Sequence, residues 1–510
     1  MLPYWLTCVR HDEHGNGRIT LAETLAVTPN DSVHFTAGTW GDAAMMIAAL
    51  IQRVKIMNQR ALLMADERPN IIFIVSDDIG FADLGCYGGR PAQFGEVSPV
   101  LDQLAANGLK FTQGYSNAPV CSPTRFALMT GRYQYRLRGA AEEPINSKSR
   151  GSTTLGLPPE HPTLPSLLRA GGYRTALIGK WHMGYPPSFG PLQSGYEEFF
   201  GPMAGGVDYF THCNFAGAHD LWRGHEGVEE EHAEEGYLTD LISEHAVDYV
   251  QRMAAGAKAG TPFFLSLHYT APHWPWETRD DAALAQEIRS NIIHLQGGNI
   301  HTYQRMIHHM DQGIGELMAA LQAHGLTDNT LVVFTSDNGG ERFSDNWPLV
   351  GGKMDLTEGG IRVPWIAHWP AVIAPGGCSE QHCMTMDWSA TMLDIAGVPA
   401  DPAYPLDGVS LLPVLRDPGQ QFVRPLHWRM KHRNQRAMRH GDWKYLRVDQ
   451  HDYLFNIPAD ERERANLAPH QPARMAAMRQ AWEAWDATMP PIPPDATVSL
   501  GYSAKDMPQR

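Results

Sequence analysis

The chain has 510 residues, 43% of them hydrophobic, and a formal net charge of −15 from 41 Lys and Arg against 56 Asp and Glu. That length accommodates one large domain and a smaller one, and the acidic balance excludes broad nucleic-acid binding, which needs a basic face. A small site can still be locally cationic, so an anionic substrate remains open.

Taken in chain order, residues 1–66 form an extension unlike the rest. Met1–Val9 is apolar but lacks a basic lead and meets Arg10-His11-Asp12-Glu13 too soon for a signal peptide. With no run near the ~18 apolar residues of a membrane span, a cytoplasmic location without a membrane partner is expected. Asp12 to Glu23 resembles a calcium-binding EF-hand loop, with oxygen donors Asp12, Asn16, Thr20 and Glu23 at its first, fifth, ninth and twelfth places. His14 at the third place is a poor calcium ligand, so a solvated turn is the expected reading. Met64, just before the first strong strand, offers an alternative start.

From residue 70 short apolar runs alternate with amphipathic stretches, the pattern of an α/β sheet with crossover helices. Strands are predicted over 70–76, 173–179, 262–268 and 331–336. Each delivers polar groups at or just beyond its C-terminal end: Asp77-Asp78, Lys180 with His182, His273, and Asp337-Asn338. In open α/β sheets the ligand crevice lies outside those ends. Between the first two strands, Cys121-Ser122-Pro123-Thr124-Arg125 opens a predicted helix that stops at Gly131, since proline favours a helix start and glycine its end. Cys121 then sits at a helix N-terminus, where free N–H groups favour negative charge, and Arg125 can point back at the same spot. The acidic run Glu229-Glu230-Glu231 reads as a solvated loop before a helix from Tyr237.

Pro402–Pro413 reads as a boundary. Short strands over 425–429, 435–439, 442–447 and 453–455, with turns at His440-Gly441 and Asp452, predict a small antiparallel sheet, followed by a helix over 474–489 and a mobile tail. The expected division is 1–66, a catalytic domain 67–412, and a sheet-and-helix subdomain 413–510. The six cysteines, residues 8, 86, 121, 213, 378 and 383, include no CxxC pair. Reduced thiols are expected, although Cys378 and Cys383 could pair.

Asp77, Asp78, Asp337 and Asn338 form an all-oxygen set that suits Ca²⁺ or Mg²⁺ rather than Zn²⁺. Three carboxylates at one point repel unless a cation joins them. Lys180 and His182, two apart, share a face in extended chain. Lys353 follows Gly351-Gly352, a flexible approach suited to an anion. Trp274 and Trp276 around His273 could wall a ring-shaped leaving group or merely pack the loop.

Cys121-x-Pro123-x-Arg125 joins Asp77-Asp78, Gly179-Lys180-x-His182, Ala271-Pro272-His273, Asp337-Asn338-Gly339 and Lys353 followed by Glu358-Gly359-Gly360 in an order that resembles the sulfatase family of the alkaline phosphatase superfamily, over about residues 68–488. The resemblance implies a large mixed, mostly parallel sheet flanked by helices, with a small C-terminal antiparallel sheet. It implies hydrolysis of an aryl or carbohydrate sulfate monoester to alcohol and sulfate.

It further implies that a formylglycine-generating enzyme converts Cys121 to formylglycine. One Ca²⁺ or Mg²⁺ would be held by Asp77, Asp78, Asp337 and Asn338 with residue 121 facing it. The hydrated aldehyde would attack sulfur while Arg125 holds it. Lys180 and Lys353 would balance the sulfate, His273 would protonate the leaving alcohol, and His182 would take the proton that lets sulfate leave. A phosphonate monoester or phosphodiester hydrolase of the same superfamily is the nearest alternative; those relatives tend to carry histidine where Asn338 stands. A non-catalytic binding protein on the same scaffold is the other. The leaving group and the oligomeric state are not fixed by these motifs.

Overall fold

The computed structural model describes residues 10–11, 17–18, 68–89, 95–288 and 297–500. The chain divides into two units, Met1–Asp66 and Glu67–Arg510. In the first, Arg10–His11 pairs antiparallel with Gly17–Arg18. The donor positions of the EF-hand-like stretch, Asp12, Asn16, Thr20 and Glu23, lie outside the described residues, as do Met64 and the last ten residues.

The second unit is built on a ten-stranded sheet. Its strands are β1 (Asn70–Ser76), β2 (Leu109–Phe111), β3 (Arg174–Gly179), β4 (Glu198–Gly201), β5 (Trp222–His225), β6 (Val228–Glu231), β7 (Phe263–His268), β8 (Thr330–Ser336), β9 (Trp365–His368) and β10 (Gly377–Ser379). The spatial order is β10-β2-β9-β8-β1-β7-β3-β4-β5-β6. The central five, β8 to β4, are parallel. The flanking β9, β5 and β6 run antiparallel to their inner neighbours.

The central strands are apolar on both faces, which is why they read as continuous runs. In β1, Ile72 and Ile74 enter one core while Ile71, Phe73 and Val75 enter the other. Helices α1 (Pro99–Ala106), α2 (Cys121–Thr130), α3 (Leu164–Ala170), α4 (Leu238–Lys258), α5 (Ile300–Ala323) and α6 (Thr385–Ala396) cover the two faces. The first core takes Leu101, Ile242 and Met310 from α1, α4 and α5; the second takes Phe126, Leu168 and Trp388 from α2, α3 and α6. In the second, Trp388 stacks on Trp365 at 5.3 Å between centroids, an arrangement aromatic pairs favour.

One expectation changes here. The acidic run is not a loop: Val228–Glu231 forms β6, the outer edge strand. Charge on an edge discourages pairing with other chains, and it also removes the apolar alternation by which a strand is recognised. The Pro402–Pro413 segment is packed against the same unit, with Leu411 and Leu412 buried in the second core.

The C-terminal sheet comprises β11 (Leu426–Arg429), β12 (Arg436–His440), β13 (Trp443–Val448) and β14 (His451–Asn456), all antiparallel. Gly441 turns the chain at φ 55° as expected, but the next turn falls at Asp449 (φ 56°), and Asp452 lies inside β14. Helix α7 (Pro472–Asp486) covers one face through Met475, Met478 and Trp482. The other face places Trp428 and Leu446 in one cluster with Cys121, Ala127, Met354 and Leu356. The small sheet thereby backs both the start of α2 and the loop of Lys353. A buried ion network seals this junction: Lys444 Nζ lies 3.0 Å from Glu358 Oε1 and 2.8 Å from Glu463 Oε1.

Candidate active site

Parallel pairing brings the ends of β8, β1, β7 and β3 to one edge. Ser76 pairs with Ser336, so Asp77-Asp78 and Asp337-Asn338 emerge side by side. His268 pairs with Gly179, which sets Lys180 beside the same edge. The ladder continues past the strands through Asp337 N–H to Ser76 O (3.1 Å) and Lys180 N–H to His268 O (2.8 Å). Helix α2 supplies the rest. Val120 enters it in extended conformation, Cys121 is its first residue, and Gly131 ends it in the left-handed region at φ 63°.

Cys121, Arg125, Lys180, His182, His273 and Lys353 are all buried, as are Asp77, Asp78, Asp337 and Asn338. One ligand atom each from Asp77, Cys121 and Asp337 lie within 4.8 Å of one another, and the same holds for Asp77, Asp78 and His273. Arg125 donates to Asp337 Oδ2 from Nη2 (2.8 Å) and Nε (3.2 Å), and from Nη1 to Lys180 O (3.1 Å). Lys180 pairs with Asp77. Lys353 Nζ lies 2.6 Å from Asp78 Oδ2, and Asn338 Nδ2 donates to Asp78 Oδ1 at 2.6 Å.

The donor set fits a hard divalent cation. Asp77 Oδ1 and Asn338 Oδ1 are buried without a hydrogen-bond partner among the described residues, an arrangement that costs free energy unless a ligand completes it. Burial opposes ionisation of Asp77, but Lys180, with His273, Arg125 and Lys353, holds its carboxyl below the ordinary range. Burial and the Asp77 charge push Asp337 up to about 7. A bound cation removes that conflict by favouring both carboxylates in ionised form.

Burial also pushes the Cys121 thiol up to about 11, against the pull of Lys180 and Lys353. A thiol so held is a poor nucleophile at neutral pH. Burial takes His182 well below its ordinary value, with Lys180 adding to the effect. His182 Nε2–H donates to Ile145 O at 2.8 Å, which leaves Nδ1 without a partner among the described residues. His273 Nδ1–H donates to Trp274 O at 2.7 Å, which turns Nε2 toward Asp78 Oδ2, 3.8 Å away. Burial and the Lys353 charge lower His273 to about 4.

Every site residue singled out from the sequence reaches this edge, but two local readings differ. His182 has φ 57°, so Lys180 and His182 do not alternate as in extended chain; one side chain turns to Asp77 and the other to Ile145. The glycines before Lys353 give close approach rather than flexibility. A Cβ on Gly352 would lie 2.6 Å from Gly340 O, and Lys353 N–H donates to that same carbonyl at 3.1 Å. Trp274 and Trp276 are buried. Trp274 lies against His273 at 3.9 Å between centroids, and Phe215, 39% exposed, meets it edge-on at 4.9 Å.

Sequence reading missed three neighbours. His268 Nδ1 lies 3.2 Å from Arg125 Nη1; its place as the last residue of β7 was the available signal. Tyr209 OH donates to His273 O at 2.9 Å, which no local pattern announces. Glu341, three residues past Asn338, accepts Trp274 Nε1–H at 2.8 Å and lies 3.7 Å from Lys353 Nζ.

Residues 69–398 match the sulfatase family. Human N-acetylgalactosamine-6-sulfatase (Homo sapiens) is 33% identical over 392 residues, covering 71% of this chain and 69% of that protein. Mouse steryl-sulfatase (Mus musculus) is 30% identical over 444 residues, covering 74% and 70%. Among solved structures, the crystal structure of Ps i-CgsB matches with a TM-score of 0.71 at 33% identity, over 82% of this chain and 93% of that one. That protein in complex with k-i-k-neocarrahexaose matches with a TM-score of 0.70. The chain belongs to the sulfatase family and is an enzyme that hydrolyses sulfate esters.

Proposed function

We propose that this sulfatase cleaves sulfate monoesters of carbohydrates, with Cys121 converted to formylglycine by a separate maturation enzyme and with one Ca²⁺, or Mg²⁺ in its place, at the aspartate cluster. The observation that carries this reading is the gathering of Asp77, Cys121 and Asp337 within 4.8 Å at the mouth of α2. A carbohydrate leaving group is supported by two of the similar proteins, one named for N-acetylgalactosamine 6-sulfate and one crystallised with an oligosaccharide.

Asp77, Asp78, Asp337 and Asn338 would hold the cation, which supplies Lewis-acid polarisation and charge neutralisation when bound. Formylglycine in place of Cys121 supplies a hydrated aldehyde, a nucleophile that the buried thiol is not. Arg125 pairs with Asp337, opposing the rise that burial imposes on that carboxyl, and presents fixed positive charge beside residue 121. Lys180 and Lys353 lie on the carboxylates of Asp77 and Asp78; an arriving sulfate shares their ammonium groups, which stabilise charge developing on its oxygens. His273 Nε2 is the atom that delivers a proton to the leaving oxygen, because Nδ1–H is fixed on Trp274 O. The sulfate charge favours the imidazolium that burial otherwise suppresses. His182 Nδ1, without a partner among the described residues, would accept the proton that lets sulfate leave.

Two measurements test the reading together. Mass spectrometry of the peptide containing residue 121, from active enzyme, is expected to find the aldehyde in place of the thiol. A panel of sulfated sugars, aryl sulfates, steryl sulfates and a phosphodiester analogue is expected to give the highest kcat/KM with a sugar sulfate. An unmodified thiol in fully active enzyme, or preference for the phosphodiester, contradicts it.

A further inference from the structure

Glu341 is absent from the chemistry assigned above, yet one of its oxygens touches two parts of the leaving-group side. Oε2 accepts the Trp274 indole N–H at 2.8 Å and lies 3.7 Å from Lys353 Nζ. Its side chain is 12% exposed, so the contact is shielded from bulk water and less screened than a surface pair. It emerges on the loop that follows β8, three residues beyond Asn338.

Trp274 is what fixes His273. The indole lies against the imidazole at 3.9 Å, and its own backbone carbonyl takes the Nδ1–H. Lys353 Nζ stands 5.9 Å from the indole centroid, within cation–π reach. Tyr209 OH on His273 O holds the loop from the far side. Three contacts therefore close a ring, Glu341 to Trp274, Trp274 to Lys353 and Lys353 back to Glu341, and His273 rests against its Trp274 member.

Lys353 also lies on Asp78, which belongs to the cation cluster. With a cation held by Asp78 and a sulfate drawn to Lys353, Glu341 would remain as a second carboxylate for that lysine. We propose that Glu341 is a positioning residue for leaving-group protonation, holding Lys353 and the His273–Trp274 loop in one geometry while substrate binds. The proposal rests on the assignment of His273 as the proton donor. It concerns orientation, in which an error of about 1 Å costs on the order of a hundred-fold in rate.

The experiment compares kcat/KM on 4-nitrophenyl sulfate, whose leaving group needs little protonation, with that on phenyl sulfate, whose leaving group needs more. His273→Ala is expected to lose far more on phenyl sulfate. Glu341→Ala is expected to show the same bias, its loss on phenyl sulfate exceeding that on 4-nitrophenyl sulfate by about ten-fold. Trp274→Phe keeps an aromatic ring, a smaller one, and deletes the N–H, and is expected to reproduce that bias. Glu341→Gln retains an acceptor for the indole and is expected to recover part of the loss, which a folding defect in the alanine variant would not explain. Equal losses on both substrates in His273→Ala overturn the donor assignment and the proposal with it. A biased His273→Ala beside an unbiased Glu341→Ala, or a change in KM alone, overturns the proposal and leaves the donor standing.

Discussion

Arg125 places two nitrogens on a single oxygen of Asp337, Nη2 at 2.8 Å and Nε at 3.2 Å, and both side chains are sealed from solvent. The other carboxylate oxygen turns to Asp78, whose N–H lies 3.4 Å away. This one pair ties the start of α2 to the end of β8 and sets residue 121 against the acidic cluster.

Removing one partner of such a pair leaves a buried charge uncompensated, which costs about 3–5 kcal/mol, whereas an exposed pair contributes about 0–1. Arg125→Ala is expected to fall in the first range in urea unfolding and to abolish sulfate-ester turnover. Arg125→Lys keeps the charge without the planar fork and is expected to recover part of the stability. A loss under about 1 kcal/mol in the alanine variant would show that the pair contributes no more than a surface contact.

Cation removal should act on stability as well as on rate, because a ligand that binds the folded state alone stabilises it. Dialysis against a chelator is expected to lower the melting temperature and stop turnover. Adding back Ca²⁺ or Mg²⁺ restores both, and the more effective ion is identified by titration calorimetry. Asp337→Asn is expected to weaken that binding by at least ten-fold. An unchanged melting temperature after chelation, with no heat on adding either ion, would contradict the assignment of these residues to a cation.

At the junction with the C-terminal sheet, Lys444 stands between Glu358 and Glu463, and all three are buried. Lys444→Met leaves two buried carboxylates together, with Arg362 and Arg439 still beside Glu358, and is expected to cost about 3–5 kcal/mol. Adding Glu358→Gln and Glu463→Gln to that variant is expected to return only part of the loss, since the carboxylate repulsion goes but buried Arg362 and Arg439 then face no Glu358 charge. Denaturant midpoints of the single and triple variants check this.

Glu277 gives a pH dependence one residue removed from the catalytic edge, through Tyr209. Burial, with the Asp208 charge beside it, raises its carboxyl from 4.5 to about 9, while Oε2 accepts Tyr209 N–H at 3.1 Å. The folded-state value lies above the unfolded one. Its contribution is therefore full below about pH 4.5 and is lost as pH rises through about 9. Glu277→Gln keeps the acceptor and removes the titration. The variant is expected to melt higher than the parent at pH 8, by a margin that shrinks toward pH 5. A margin that is constant across that range would rule out the linkage.

Four of the five central strands were legible because burial on both faces leaves an unbroken apolar run, and β1, β3, β7 and β8 fall within a residue of their predicted limits, whereas the four-residue β4 carries too short a run and was not predicted. The site was legible because parallel pairing carries every residue just past those strands to one edge. The failures have physical causes too. Strand β6 is charged and carries no apolar alternation. The turn before β14 is set by a left-handed Asp449 rather than by Asp452, a choice decided by cross-strand register. The left-handed backbone of His182 and the contact between Glu341 and Trp274 depend on segments far apart in the chain.

As a hydrated aldehyde, residue 121 would release sulfate in a way that an alcohol cannot. Product release from 4-nitrophenyl sulfate, followed over many enzyme equivalents, tests it in the parent enzyme and in Cys121→Ser. The parent is expected to turn over continuously, and the serine variant to stop at or below one equivalent with sulfate retained on the protein. Steady multiple turnover by the serine variant at the parent's rate would contradict the account.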